Sequence, residues 1–237
     1  MTSERLFYQD AYLPSCEATV LRADERGILL DRTVFYPLGG GQPGDAGVLG
    51  YADGREVAIA DARKDAESGG ILHLPLPGMM PRAGDAVVAR IDWERRHRHM
   101  RMHTCLHLLS AVIPAGVTGG SVRHDSGRLD FDLPEQALDR EQIESRLNEL
   151  IAGGHAATAR WVSDEELAAR PDLVKTMSVK PPMGTGRVRL LEIAGVDLQA
   201  CGGTHVANTA EIGRVRVVKV ENKGAHNRRV TVAFAQD

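Results

Sequence analysis

The sequence has 237 residues, of which 43% are hydrophobic, and its formal net charge is -3. This length suffices for one large domain or two ordinary ones with a sizeable core, while the charge excludes a globally basic nucleic-acid binder. No apolar run nears the roughly 18 residues of a membrane span, the N-terminus has no apolar signal core and three cysteines form no disulfide framework, so we expect a cytoplasmic protein without a membrane partner.

Residues 5 to 91 are predicted to form a β domain. Short segments rich in apolar and β-branched residues alternate with turns of Gly, Pro and Asp, at the spacing of a small barrel or sandwich. The strand candidates are EATVLRA, GILLDRTVFYP, AGVLGYA, REVAIADA, GGILHLPL and DAVVARI. Because the pattern changes to a helical period near Asp92, we expect the domain to end there.

A glycine-rich stretch, DRTVFYPLGGGQPGDAG, lies within this β domain. Its three consecutive glycines, Gly39, Gly40 and Gly41, exceed what a tight hairpin needs, which favours a backbone lying against a ligand. The stretch lacks the GxxxxGK[ST] pattern of phosphate-binding loops. A plain glycine-rich turn is the alternative.

The segment WERRHRHMRMHTCLHLLSAVIP, which starts at Trp93, is predicted to form the central helix, ended by Pro114. Its apolar stripe has the spacing of a core-facing side and consists of Met102, Leu106, Leu109 and Ile113. His103 and His107 flank this stripe. Residues four apart lie on one helix face, so the two imidazoles can bind one metal ion.

The remainder, residues 92 to 237, is predicted to be an α+β domain with helices packed on an antiparallel sheet. VTGGSVRHDSGRLDFDL is predicted to be two strands with a turn at Asp125-Ser126-Gly127. A helix is expected between Asp139 and Gly153, and a short one after the cap residue Ser163. The segments RVRLLEI, VDLQACGG, AEIGRVRVVKVENKG and RRVTVAFA are predicted strands.

A second group of metal-ligand side chains lies in the motif CGGTH. Cys201 and His205 stand in a glycine-rich turn that can wrap closely around an ion. Together with the helical histidines they make a nitrogen and sulfur donor set suited to one zinc ion per chain. Thr104 occupies the position of the general-base Glu of HExxH proteases, so that chemistry is not expected. The alternative is that the two motifs are unrelated.

Two basic clusters stand out against the acidic net charge. One precedes the helical histidines and contains Arg95, Arg96, Arg98 and Arg101, and the other, near the C-terminus, contains Lys219, Lys223, Arg228 and Arg229. Charge runs usually form solvated faces, but two such clusters could also hold a phosphate backbone.

Three motifs together carry a family resemblance: RMHTCLHLL from Arg101, CGGTHV from Cys201, and GGGQPGDAG before both. Their order and spacing resemble the alanyl-tRNA editing proteins called AlaX, in the medium-length form, and the editing domain of alanyl-tRNA synthetases. The resemblance covers essentially the whole chain. It implies a β-barrel-like domain with the glycine-rich motif in residues 1-91, followed by a zinc-binding α+β editing domain in residues 92-237. One departure is Cys105-Leu106, where Ala-Thr or similar small residues are common.

The resemblance implies hydrolysis, in trans, of tRNA(Ala) mischarged with serine, and also with glycine. The family's zinc ligands fall on His103, His107, Cys201 and His205, and its hydroxyl-recognising positions fall on Thr33 and Gln42. We expect the tRNA phosphates to be held by Arg95, Arg98, Lys223 and Arg228.

Two other functions stay open at this point: a zinc-stabilised tRNA-binding module without catalysis, and a metal-dependent hydrolase of a small ester. Four protein ligands would close a tetrahedral site, which is the arrangement of structural zinc. Catalysis there requires either a displaced ligand or a metal that mainly positions the substrate. No carboxylate stands out in the sequence as a general base.

Overall fold

The computed structural model describes residues 3–133, 138–177, 186–224 and 226–235. It divides into two compact units, Met1–Arg98 and His99–Asp237, with the division inside the central helix. The protein is α+β, as predicted. The predicted domain limits, 1–91 and 92–237, differ from this division by seven residues and remain a prediction.

The first unit is built around a closed barrel. The strands of this unit are β1 (Glu4–Arg5), β2 (Ser15–Asp24), β3 (Gly27–Leu30), β4 (Arg32–Thr33), β5 (Gly47–Gly50), β6 (Glu56–Lys64), β7 (Ile71–Pro75) and β8 (Ala86–Ile91). The barrel order is β2-β3-β7-β6-β5-β8, and β1 pairs in parallel with β4. The predicted strand segments of residues 5 to 91 are thus confirmed, except that GILLDRTVFYP contains two strands, β3 and β4, and residues 34–37 belong to neither.

Alternating burial explains why these segments are strands. In β8 the side chains of Val87, Ala89 and Ile91 are buried while their neighbours are exposed, the pattern of a strand with one face on a core. Leu49 and Ile59, from two neighbouring strands, join the same hydrophobic core. The barrel thereby closes its hydrogen-bonding edges and fills its interior with apolar side chains.

Arg96 contributes to the fold of this unit and is not a surface charge. Its side chain is completely buried and forms an ion pair with the buried carboxylate of Asp45. It also donates hydrogen bonds to the backbone oxygens of Ala11 (3.0 Å) and Val34 (2.6 Å). A buried charge is tolerated only with such partners. The expectation that Arg96 belongs to a basic surface cluster is therefore wrong.

Helix α1 (Trp93–Val112) ends just before Pro114, as predicted. The predicted core-facing stripe is confirmed, since Met102, Leu106, Leu109 and Ile113 are all buried. Met102 and Leu106 lie against Gly127, where an added Cβ would come 2.9 Å from Met102. A side chain at that strand position would therefore displace Met102 from its present packing.

Among the residues that the structure describes, the second unit contains two antiparallel sheets where one was expected. Its other elements are β9 (Val117–Val122), β10 (Ser126–Asp132), α2 (Arg140–Ala152), β11 (Ala157–Ser163), α3 (Asp164–Ala168), β12 (Arg187–Ile193), β13 (Asp197–Ala200), β14 (Val215–Asn222) and β15 (Asn227–Phe234). The sheets have the orders β14-β15-β10-β9 and β11-β12-β13. The turn between β9 and β10 lies earlier in the sequence than the predicted Asp125-Ser126-Gly127, because Ser126 and Gly127 already belong to β10.

Capping side chains set both shorter helices of this unit. The Asp139 carboxylate accepts hydrogen bonds from the backbone N–H groups of Glu141 and Gln142 at the start of α2. Ser163 and Glu166 form a capping box at the start of α3. In α2 the residues Ile143, Leu147 and Ile151 are buried and Leu150 is half-buried.

Among the described residues, no helix is long and apolar enough to cross a membrane.

Candidate metal centre

Four side chains from two distant motifs converge in the second unit: His103, His107, Cys201 and His205. Helix α1 supplies the first two one turn apart, and the CGGTH turn after β13 supplies the others. All three imidazoles are buried, and Cys201 is half-buried. The potential ligand atoms lie within 4.8 Å of one another, so the cluster could hold a metal ion, as predicted.

Two of the distances between the donor atoms are close to those of a tetrahedral zinc site. Zinc–nitrogen and zinc–sulfur bonds of about 2.0 and 2.3 Å place neighbouring ligand atoms roughly 3.3–3.6 Å apart. The Cys201 Sγ atom lies 3.6 Å from His103 Nε2 and 3.2 Å from His205 Nε2. These two contacts of Cys201 therefore need little rearrangement to bind such an ion.

The ionisation of Cys201 and His205 favours metal binding. Burial opposes a thiolate, but the nearby imidazoles of His103, His205 and His107 outweigh it and hold the pKa of Cys201 well below its usual range. Burial lowers the pKa of His205 to about 3, so its imidazole is neutral. Thiolate and neutral imidazole are the forms that bind metal ions.

Thr104 orients His205. The Thr104 hydroxyl donates to the backbone oxygen of Met100 (2.9 Å), so its oxygen accepts from His205 Nδ1 (3.2 Å) and from the backbone N–H of Val206 (3.3 Å). With the proton on Nδ1, the Nε2 atom of His205 presents a lone pair toward Cys201. Thr104 is thus part of the site, although the sequence indicated only that it is not a general base.

Asp197 makes the corresponding contact to His107. His107 Nδ1 lies 3.3 Å from Asp197 Oδ2, and the Asp197 carboxylate also contacts Gln199 and Lys175. Burial of Asp197 opposes its charge, but His107, Gln199 and Lys175 outweigh it and lower its pKa to about 2. Burial likewise opposes the charge of His107, but the Cys201 thiolate and Asp197 raise its pKa to about 9.

The backbone around Cys201 is fixed by Arg189 of β12. One guanidinium nitrogen of Arg189 donates to the backbone oxygens of Cys201 (3.1 Å) and Gly203 (2.9 Å). The N–H of Gly203 in turn donates to Cys201 Sγ (3.4 Å). Hydrogen bonds of this kind orient a ligating sulfur and stabilise its negative charge.

Cys105 does not belong to the ligand set. It is completely buried, and burial raises the pKa of its thiol to about 12. A neutral, enclosed thiol is a small apolar core residue. The departure from the family at Cys105-Leu106 is accordingly accommodated within the packing of α1.

Thr33 and Gln42 are both completely buried in the first unit. His73 Nδ1 lies 3.0 Å from the backbone oxygen of Ile28, which can only accept, so the ring proton is on Nδ1. His73 Nε2 therefore accepts from the Thr33 hydroxyl (2.8 Å), and the Thr33 oxygen accepts from the N–H of Phe35 (3.0 Å). The predicted role of both residues in substrate recognition remains a prediction.

The glycine run forms a tight turn. Gly39 and Gln42 exchange two backbone hydrogen bonds, of 3.1 and 3.0 Å, across Gly40 and Gly41. These two glycines have φ angles of 58° and 80°, which L-residues adopt only at a steric cost. The local geometry thus gives the glycines a structural reason, and contact with a ligand stays a prediction.

The four predicted tRNA contacts have different surroundings. Arg95 donates to the backbone oxygen of Gly44 (3.3 Å), and Arg98 forms an ion pair with Glu94 one helical turn earlier (3.6 Å). Lys223 is exposed beside Glu221, and Arg228 donates to the backbone oxygens of Gly224 and Asn227. Three further members of the basic clusters differ from a free surface charge: Arg101 binds the Ile212 oxygen, Arg229 pairs with Asp130, and Lys219 pairs with Glu221.

Comparison with known families defines the class of protein to which this fold and site belong. Residues 188–231, which include Cys201 and His205, match the threonyl and alanyl tRNA synthetase second additional domain. Residues 11–95, which include Thr33 and Gln42, match the family of class II (A) tRNA synthetases. The chain is thus a relative of aminoacyl-tRNA synthetases that carries a potential metal centre.

Full-length similarity narrows this class to one family. The chain is 41% identical to the alanyl-tRNA editing protein AlaX-M of Methanosarcina mazei, over 96% of this chain and 95% of that protein. It is 34% identical to the AlaX-M protein of Saccharolobus solfataricus, over 96% and 97%. The chain belongs to the AlaX-M family of alanyl-tRNA editing proteins. It also matches a quarter of the alanine–tRNA ligase of Pyrococcus abyssi, with 34% identity over 91% of this chain and 24% of the ligase.

Proposed function

We propose that the protein is a zinc-dependent deacylase that hydrolyses the ester of tRNA(Ala) mischarged with serine, with the glycyl ester as a second substrate. Its membership in the AlaX-M family of alanyl-tRNA editing proteins supports an editing role on tRNA(Ala). The observation that carries the proposal is the convergence of His103, His107, Cys201 and His205 into one donor set, in which the three imidazoles are buried. The nitrogen and sulfur donors and their spacing favour zinc over magnesium or calcium, which prefer oxygen ligands.

The protein's own side chains prepare the centre for an ester. Thr104 keeps the proton of His205 on Nδ1, and the N–H of Gly203 supports the Cys201 thiolate. Zinc bound there would supply a Lewis acid that polarises an ester carbonyl. The Asp197 carboxylate accepts from His107, Gln199 and Lys175, so its contacts are those of an orienting group and not of a general base.

Discrimination against alanine requires a polar group, because an apolar pocket barely distinguishes two side chains that differ by one hydroxyl. We assign this role to Thr33 and Gln42. With its hydrogen donated to His73, the Thr33 oxygen has an acceptor site left for the hydroxyl of a seryl ester. Because Thr33 is completely buried, this role requires that it becomes accessible when the substrate binds.

The tRNA backbone supplies a second set of contacts in this proposal. Arg95 and Arg98 belong to the first unit, and Lys223 and Arg228 belong to the second. Their other partners are backbone oxygens or a single carboxylate. The ion pairs of Arg98 and Lys223 lie at the surface and are worth little in water, so exchanging them for phosphates costs little free energy.

One observation favours a second candidate function, a zinc-stabilised tRNA-binding module. All four donors lie close enough to bind one ion at the same time, which is the closed arrangement of structural zinc. In that case the centre holds the CGGTH turn against helix α1 and takes no part in chemistry.

Single-turnover deacylation of seryl-tRNA(Ala) distinguishes the two functions. The deacylase should accelerate ester hydrolysis well above the uncatalysed rate and should lose this acceleration when zinc is removed. Alanyl-tRNA(Ala) serves as the matched control, because it differs by one hydroxyl. Binding of the tRNA without any acceleration would support the binding module and refute the proposed deacylase. Acceleration with a small seryl ester but no binding of tRNA would indicate the third class, a hydrolase of small esters.

A further inference from the structure

Strand β13 presents polar side chains on its buried face. Asp197 and Gln199 are buried while Leu198 and Ala200 are half-buried, and Cys201 follows at the next alternate position. Because residues two apart in a strand point to the same side, one face of β13 carries a carboxylate and an amide, and the thiolate ligand follows directly after the strand. A buried face of a strand is normally apolar, since a buried charge is costly unless it is paired.

The Asp197 carboxylate has three hydrogen-bonding partners and no exposed surface. Its Oδ2 atom accepts from Gln199 Nε2 at 2.6 Å and faces His107 Nδ1 at 3.3 Å. Its Oδ1 atom forms an ion pair with the ammonium of Lys175. Lys175 and Gln199 therefore hold the carboxylate in place while one of its oxygens is directed at His107.

We propose that Asp197 is a positioning residue of the metal centre, holding His107 with its proton on Nδ1 so that Nε2 is directed at the ion. The inference rests on the proposed function only in that it takes the four-residue cluster as a metal site. Lys175 and Gln199 belong to the same device, because they fix the carboxylate and compensate its charge.

The comparison with His205 shows what the charge adds. Thr104 fixes the tautomer of His205 with a neutral hydroxyl, whereas Asp197 does so for His107 with a carboxylate. A carboxylate also makes the imidazole a stronger base and thus a better ligand. An ordinary structural ion pair between Lys175 and Asp197 would not require an oxygen that faces the ring nitrogen of a ligand.

The test is the metal affinity of the whole chain, measured by competition with a chromogenic chelator. Asp197→Ala should weaken zinc binding by about 10- to 100-fold. Asp197→Asn keeps the volume and an acceptor oxygen but loses the charge, so its affinity should lie between those of Asp197→Ala and the unmodified protein. Cobalt(II) in place of zinc adds a spectroscopic readout: the d–d bands should change in Asp197→Asn, while the thiolate charge-transfer band from Cys201 persists.

Asp130→Ala is the matched control. Asp130 is also a strand carboxylate held by two cations, Arg128 and Arg229, in the same unit. Its removal should lower stability without changing the affinity for zinc. If Asp197→Ala does not fold, the Asn variant decides alone.

The proposal is overturned by a folded Asp197 variant with unchanged zinc affinity and an unchanged cobalt spectrum, or by a wild-type protein that binds neither metal. A protein that binds zinc through Asp197-dependent affinity but does not hydrolyse seryl-tRNA(Ala) would refute the deacylase and leave this inference standing.

Discussion

The hydroxyl oxygen of Thr33 lies 2.8 Å from Nε2 of His73, and both side chains are completely buried. Because His73 donates through Nδ1 to the Ile28 oxygen, Thr33 must donate its hydroxyl hydrogen to His73. The pair gives Thr33 a structural function in the first unit, because it links β4 to the barrel strand β7, whatever Thr33 does with a substrate. Experiments on Thr33 must therefore separate stability from specificity.

Thr33→Val should affect both properties. Removing the hydroxyl leaves His73 Nε2 and the Phe35 N–H buried without this partner, which lowers the free energy of unfolding by about 1–3 kcal/mol for each group. If Thr33 also binds the seryl hydroxyl, the ratio of seryl to alanyl deacylation should narrow by about one to two orders of magnitude, with unchanged zinc content. Urea unfolding and single-turnover rates at a temperature where the variant is folded measure the two effects.

Thr33→Ser is the control, because it keeps the hydroxyl and should preserve the ratio. Gln42→Ala tests the other side chain assigned to specificity. A ratio that stays constant in both Thr33→Val and Gln42→Ala, despite the loss of stability, would show that discrimination lies elsewhere.

The pH dependence of stability should reveal His73. Burial lowers its pKa from 6.5 to about 4. Below pH 6.5 the unfolded chain takes up a proton at this position that the folded chain does not, so stability is lost as the pH falls from 6.5 toward 4. The full effect corresponds to about 3 kcal/mol, and it is absent above pH 6.5.

His73→Gln removes this titration. We compare the free energy of unfolding of the two proteins from pH 7 to pH 4.5, with zinc present throughout, because the metal ligands titrate equally in both. The wild type should lose more stability on acidification than the variant. Parallel curves would mean that His73 takes up its proton with a normal pKa in the folded state.

The purified protein should contain about one zinc ion per chain, held by the four-residue cluster. Cys201→Ala removes the only anionic ligand of the set and should weaken zinc binding, whereas Cys105→Ala should not, since that thiol is neutral and buried. Metal analysis after dialysis against a chelator measures both variants. Full occupancy in a His103→Ala, Cys201→Ala double variant would refute the site.

Replacing Arg95, Arg98, Lys223 and Arg228 together by Ala should weaken tRNA binding and flatten its salt dependence. Each lost phosphate contact should reduce the slope of log affinity against log salt by about 1. Turnover at saturating tRNA should change little. Binding is measured by filter retention or fluorescence anisotropy over a range of salt concentrations.

A charge-matched control replaces four exposed arginines that each pair with a nearby carboxylate: Arg32, Arg55, Arg146 and Arg170. It changes the net charge by the same amount and should keep most of the affinity. Equal losses in the two quadruple variants would assign the effect to net charge and return the four predicted contacts to an ordinary solvated face.

Local patterns in the sequence determined much of the fold. The period of two in segments such as β8 and the period near 3.6 in α1 follow directly from the burial of one face, and the caps Asp139 and Ser163 act on their own helices. The sequence does not predict strand β11, because most of its side chains are exposed and buried and exposed positions do not alternate along it. Its hydrogen-bonded pairing with β12 makes it a strand. The split into two sheets likewise depends on pairings between distant segments, which no local pattern encodes.

The ligands were predictable for a related reason. His103 and His107 share a helix face, Cys201 and His205 share one turn, and the chemistry of zinc suggests that the pairs belong together. Only the tertiary structure decided which residues orient these ligands. Asp197 and Thr104 are ordinary in sequence and become orienting groups because the fold brings each of them to a ring nitrogen. Arg96 looks like a surface charge in the sequence, but the folded chain buries it together with Asp45. Burial and hydrogen-bond partners are properties of the folded chain. The sequence therefore determined which side chains can bind a metal, and the packing determined which residues orient those side chains.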